Sequence, residues 1–85
     1  MEPKKYPLML IEWSDAQSDC EWGNLDRIKK WADEDCIVYD IGWIIYENKK
    51  YIIIASQMGK DDGDWGNRTK IPKEWIRKRT KMVVN

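Results

Sequence analysis

Two dense apolar runs joined by a short polar link organise the chain. Cys36 to Tyr46 and Tyr51 to Gln57 are rich in β-branched and aromatic residues, and Glu47-Asn48-Lys49-Lys50 lies between them. This pattern predicts a β-hairpin with largely buried strands. The link lacks the Asn-Gly pair of the tightest hairpins, which predicts a four-residue loop. Upstream, the contiguous apolar run Leu8 to Trp13 predicts a first strand buried on both faces for part of its length. Ser14-Asp15-Ala16 then breaks it, and Gln17 to Gly23 is polar loop. Asn24 is placed to cap a short helix carrying Leu25, Ile28 and Trp31-Ala32 at helical spacing. The acidic run Asp33-Glu34-Asp35 opposes the helix dipole at its far end, which must fray or be held by a basic neighbour. Downstream, the Gly- and Asp-rich segment Met58 to Asn67 predicts a long loop. Arg68 to Ile71 predicts a fourth strand stopped by Pro72, and Pro72 to Arg77 one helical turn with Trp75 and Ile76 facing inward. Thr80 to Val84 predicts a fifth strand.

These elements describe one domain, residues 1–85, mainly β: a small five-stranded SH3-like or Sm-like barrel with one short α-helix. The turn before the last strand would plug one end of the barrel. An α+β roll, with the Asn24 helix packed across an open sheet, is the alternative. A chain of 85 residues buries only about two-thirds of its unfolded surface. Its core is therefore modest unless oligomerisation adds to it, although six tryptophans compensate in part.

Composition narrows the chemistry. Fifteen basic and fifteen acidic residues cancel, so bulk charge predicts attraction neither to nucleic acid nor to a membrane. The charges are segregated, however. Acidic residues from Asp15 to Asp35 crowd the first half and basic residues from Arg68 to Lys81 crowd the end, so opposed halves can dock on each other or on a neighbouring copy. The apolar run Leu8 to Ile11 after Met1 to Lys5 is too short for a secretory core or a membrane span. Two cysteines then point to a reducing, cytoplasmic setting, where Cys20 and Cys36 read as small buried or half-buried apolar residues rather than a disulfide.

There is no histidine, which removes the commonest general base, metal ligand and triad member. Two cysteines without histidine do not make a usual zinc site, and no phosphate-cradling glycine motif occurs. Asp61-Asp62-Gly63-Asp64 lacks the alternate spacing and terminal Glu of a calcium loop. No catalytic residue, metal or cofactor is assigned, and a non-catalytic protein is expected.

Asp15 reads as a turn cap, its carboxylate accepting from nearby amides. Trp13, Trp43 and Trp75 sit in apolar patterns and read as core. Trp22 and Trp65 stand in polar stretches beside glycine, where a ring can stack on a base, anchor a partner or fold back as a lid. The basic residues Arg68, Lys70, Lys73, Arg77 and Arg79 complete the candidate binding set, because cations on successive elements can converge on phosphate. A solvated edge that discourages strand-to-strand aggregation is the competing role for them.

The order Trp13-x-Asp15-Ala16, Trp22, Ile41-Gly42-Trp43 and Ile71-Pro72-Lys73-x-x-Ile76 resembles a group of small, mostly uncharacterised proteins of tailed bacteriophages and prophages. The resemblance spans nearly the whole chain. It departs at Trp22-Gly23, where the group usually has Gly before Trp, and in the length of the segment carrying the Asn24 helix. It implies a phage origin, an all-β barrel and a host bacterial cytoplasm, and it supplies no activity. The expectation is an oligomeric binding module holding a host protein or a small anionic, nucleotide-like ligand, as a counter-defence inhibitor or sponge. An Sm-like RNA- or DNA-binding barrel and a structural accessory protein of the phage particle are the alternatives. No membrane partner is expected.

Overall fold

Strand β1 (Leu8–Ser14), helix α1 (Leu25–Ala32), strands β2 (Ile37–Glu47), β3 (Tyr51–Met58) and β4 (Trp65–Pro72), a 3₁₀ turn (Lys73–Trp75) and strand β5 (Ile76–Lys81) follow one another along the chain. The structure, a computed structural model, describes residues 6–61 and 63–83. The strands form one antiparallel sheet in the order β4-β3-β2-β1-β5. Strands β4 and β5 are its two edges, so the sheet is open there.

One cluster forms the core. Ile11 and Trp13 come from β1, Ile44 from β2, Ile52 and Ile54 from β3, and Ile71 from β4, with Met9, Val38 and Ile76 packed against them. These positions follow the alternation that puts every second strand residue on one face, and each large side chain contributes about 1.5–3 kcal/mol by leaving water. Ile71 and Ile76 belong to opposite edges of the sheet, so the sheet curls around the cluster. The register measures the curl. Arg79 pairs with Ile11, and Ile11 with Asp40. Glu47 lies seven residues beyond Asp40 on β2, which is about 23 Å along a flat strand. Yet Arg79 Nη1 donates to Glu47 Oε1 at 2.9 Å.

Strand β2 bends to allow this. A Cβ on Gly42 would stand 2.5 Å from the Ala55 carbonyl oxygen, so only glycine lets β3 cross so near. Just beyond, the β2–β3 register skips Ile45, and the β1–β5 register skips Arg77. Such irregularities add local bend and twist.

The central hairpin, the first strand and the Asn24 cap form where the sequence expects them, but the burial of the strands is one-sided. Strand β1 buries only Ile11 and Trp13, β2 leaves Tyr39, Ile41 and Tyr46 exposed, and Trp43 is half-buried outside the core, because the open sheet covers one face. Several boundaries differ. The hairpin link is three residues, not four, because Glu47 still pairs with Ile52. Asn48 closes it, its Oδ1 accepting from the amides of Lys50 and Tyr51. Strand β4 begins at Trp65 rather than Arg68, since Met58 and Gln57 draw Trp65 and Gly66 into the ladder. Asn67 takes a left-handed φ of 52° there, which asparagine tolerates, and its amide donates to the Ser56 hydroxyl. Pro72 still pairs with Tyr51, an edge position where no donor is required. Strand β5 starts at Ile76 rather than Thr80. Trp75 does not turn fully inward: it is 40% exposed and stacks on Trp13 at 6.2 Å. The α+β roll is not adopted, because no residue of α1 is buried. Val84, Asp62 of the Asp61–Asp64 comparison and Met1 to Lys5 lie outside the described residues.

Replacing Gly42 with Ala forces β2 and β3 apart at their closest crossing. Gly42→Ala is expected to lower unfolding free energy by about 1–3 kcal/mol, read by chemical denaturation. An unchanged midpoint would show that the crossing yields without cost.

Candidate functional site

Between β1 and β2 the chain leaves the sheet as an arm, residues 15–36. Its base is pinned. Asp15 N–H donates to the Cys36 carbonyl at 2.8 Å, extending the β1–β2 ladder, and Gln17 Nε2 donates to the Glu34 carbonyl at 2.7 Å. Arg77 Nη1 on β5 pairs with Asp35 Oδ2 at 2.9 Å, so the end of the acidic run is held by a basic neighbour. Asp15 also plays the expected local part, accepting from Ala16 N–H at 2.8 Å.

In the outer part of the arm residues 18–30 are all exposed. Asn24 Oδ1 accepts from Arg27 N–H at 2.9 Å, capping α1. The apolar residues of α1 that would normally face a core, Leu25 and Ile28, are exposed, and Trp22 just before the cap is 98% exposed. Trp22, Ile28 and half-buried Trp31 line a concavity of about 390 Å³, with Arg27, Asp19 and Glu21 at its polar margin. A helix of eight residues that buries none of its side chains is marginal in water. Cap and amphipathic pattern shape it, but its apolar side awaits a surface.

The candidate cations divide differently from their order in sequence. Lys73 Nζ lies 2.6 Å from Glu47 Oε2, and Arg79 donates to both oxygens of the same carboxylate at 2.9 and 3.3 Å. The Arg79 hydrogen bonds, followed by that of Lys73, lower the Glu47 pKa to about 2. Arg77 is engaged by Asp35. Three of the five basic candidates thus neutralise carboxylates of their own chain. Lys70 Nζ sits 5.2 Å over the Tyr51 ring, and Arg68 shares a recess with Ile45, Gly63, Asp64 and Trp65.

Trp65 is not a loop residue. It lies half-buried at the start of β4, edge-on to Tyr6 at 5.2 Å and tilted on Trp43 at 5.8 Å. The structure therefore brings Lys73 and Arg79 together, and Trp65 with Arg68, while Trp22 stands on the arm. Among the described residues no group of three potential metal ligands converges, and no helix is long and apolar enough to cross a membrane. Both cysteines are free thiols; Cys36 is half-buried as expected, whereas Cys20 is exposed rather than buried, because it lies on the arm away from the core. Glu47 was the residue that sequence reasoning missed. Its signal, a lone acid in a turn otherwise followed by lysines, is legible only once Lys73 and Arg79 are known to reach it.

The Glu47 pKa lies below its ordinary 4.5. Its stabilisation is therefore complete above that ordinary value and is lost as pH falls towards 2. The carboxylate is 38% exposed, so screening holds the effect to about 1 kcal/mol. Glu47→Gln is expected to lower Tm at pH 7, with the gap from wild type closing by about pH 2, the folded-state value. A gap of constant size across that range would remove the ionic explanation.

Comparison with protein-family models, with curated proteins and with solved structures finds no match.

Proposed function

We propose that this chain is a non-catalytic binding module that docks a protein partner through its helical arm. One observation carries the reading: an amphipathic helix is held out on a pinned base with Trp22, Leu25 and Ile28 uncovered. An exposed tryptophan beside aliphatic side chains has the composition of an interface anchor. The arm holds seven acidic against three basic residues, which favours a partner with a basic rim around an apolar surface.

A small phosphorylated ligand is the weaker form of the reading, because Lys73, Arg77 and Arg79 are already matched by Glu47 and Asp35. An RNA- or DNA-binding barrel keeps one supporting observation. Lys70 and Arg68 project two residues apart on edge strand β4, with Tyr51 beneath Lys70. We further propose that the curled sheet is the wall of an SH3-like or Sm-like barrel. Its strand order, the 3₁₀ turn before the last strand and the Glu47–Arg79 contact support that assignment. A phage counter-defence role against a host protein in the bacterial cytoplasm is the context we propose, resting on the Trp13-x-Asp15-Ala16 to Ile71-Pro72-Lys73 resemblance.

A photo-cross-linking residue in place of Trp22 is expected to capture one defined protein band in bacterial cells. Melting of the purified chain should be unmoved by mono-, di- and cyclic nucleotides and short oligonucleotides. A rise in Tm with one nucleotide, lost in the Arg68→Ala/Lys70→Ala variant, would transfer the function to that ligand. Oligonucleotide binding that weakens steeply with salt would transfer it to nucleic acid.

A further inference from the structure

The chain is far from compact. The radius of gyration is 16.6 Å and the extents are 54 × 25 × 23 Å, against about 12 Å expected for a compact domain of this length. The accessible surface is 6963 Å², whereas a compact monomer of this mass exposes about 5,300 Å². The excess is larger than the roughly 800 Å² per partner that a standard interface covers.

A second apolar surface complements the arm. Residues in register across a sheet share a face. Ile41 pairs with Leu10 and Leu10 with Thr80, while Tyr39 pairs with Glu12 and Glu12 with Lys78. These rows alternate with Ile11 and Trp13, so they lie on the face turned away from the core. Tyr39 and Ile41 are 63% and 55% exposed there. Glu12 is flanked by Lys78 on the edge strand, and the segment from Trp65 to Val83 holds seven basic residues against one acidic. The helix itself is basic, with Arg27, Lys29 and Lys30 against Asp26, but the arm that carries it is acidic as a whole, and its apolar side matches an apolar patch beside the basic strand β5.

Position decides whose helix it is. Ser14 pairs with Ile37 at the root of the arm, so the Tyr39–Ile41 patch begins two residues from that root while Trp22 stands at the tip. Tyr39 and Ile41 stay exposed although the arm is rooted beside them, so the arm of their own chain does not cover them. A two-fold axis beside the arm sets each tip on the other copy's patch, and both contacts form at once. Such closed, self-complementary pairing is the usual geometry of small homodimers.

We propose that the partner surface for the arm is a second copy of this chain, with α1 and Trp22 of each copy seated over Tyr39 and Ile41 of the other. This rests on the reading of the arm as a docking element and names its occupant. The arrangement covers the apolar side of α1, adds apolar contact to a small core, and sets an arm rich in carboxylates near the basic strand β5.

The test is mass in solution by sedimentation equilibrium. The wild type is expected at twice the 10.2 kDa chain mass, dissociating on dilution. Leu25→Glu on the arm and Ile41→Glu on the patch should each halve that mass. Their equimolar mixture should recover a dimer, because one arm and one patch remain intact across the pair. Circular dichroism confirms that each variant folds, and Trp22→Ala supplies an arm variant at the exposed tip should Leu25→Glu not fold. Ile41→Lys serves the same purpose on the patch. A wild type that is monomeric at every concentration, or a dimer that survives both variants, overturns the exchange. So does failure of the mixture to re-associate. Hydrogen exchange separates this failure from failure of the docking reading. Fast exchange of α1 amides in a monomer leaves the arm as a docking element for a different protein, whereas slow exchange in a monomer overturns both.

Discussion

Strand β2 serves two neighbours in succession, and the rest of the molecule depends on that handover. Its first residues pair with β1, its last with β3, and Trp43 pairs with Leu8 on one side and Ala55 on the other. Gly42 makes the handover possible by letting the Ala55 carbonyl approach to a distance that any side chain would forbid. With β2 bent, β1 and β5 fold over one side of the core and β3 and β4 over the other. Glu47, at the far end of β2, then meets Arg79 from the opposite edge of the sheet. The ion pair contributes little energy at its exposure. Its value lies in fixing how the two edges face each other, together with Lys73 from the turn that links them.

The arm obeys a different logic. Its root is tied by the Asp15–Cys36, Gln17–Glu34 and Asp35–Arg77 contacts, while its outer turn depends on a cap and intrinsic propensity. Helix propensity sums to little over eight residues. The body holds its shape through burial; the arm acquires equivalent stability only when something covers Leu25, Ile28 and Trp22.

Much of the body was legible in the sequence. The hairpin declared itself through two β-branched runs, and Asn24 announced the helix start. Edge boundaries were obscured by local chemistry. Gly66 and Asn67 look like turn residues, yet the ladder with β3 overrides that preference, and Asn67 accepts a left-handed φ within it. Trp75 fits an inward pattern, but stacking on Trp13 satisfies one ring face and leaves the rest to solvent. The basic candidates were chosen by proximity along the chain. Their partners, Asp35 and Glu47, are dozens of residues away in sequence and visible only after the curl brings them near. The exposure of α1 was equally hidden, because an amphipathic pattern states that a helix has an apolar side without stating what meets it.

The placement of the indoles gives the molecule two optical voices. Trp13, buried against stacked Trp75, and Trp43, packed with Trp65, belong to the body, while Trp22 is almost wholly in water. Emission from Trp22 responds to polarity at the arm tip and shifts blue when that tip is covered, without any change in the body. Loss of the body's packing moves emission the other way, to the red. A single unlabelled sample thus distinguishes occupation of the arm from loss of the fold by the direction in which its fluorescence moves.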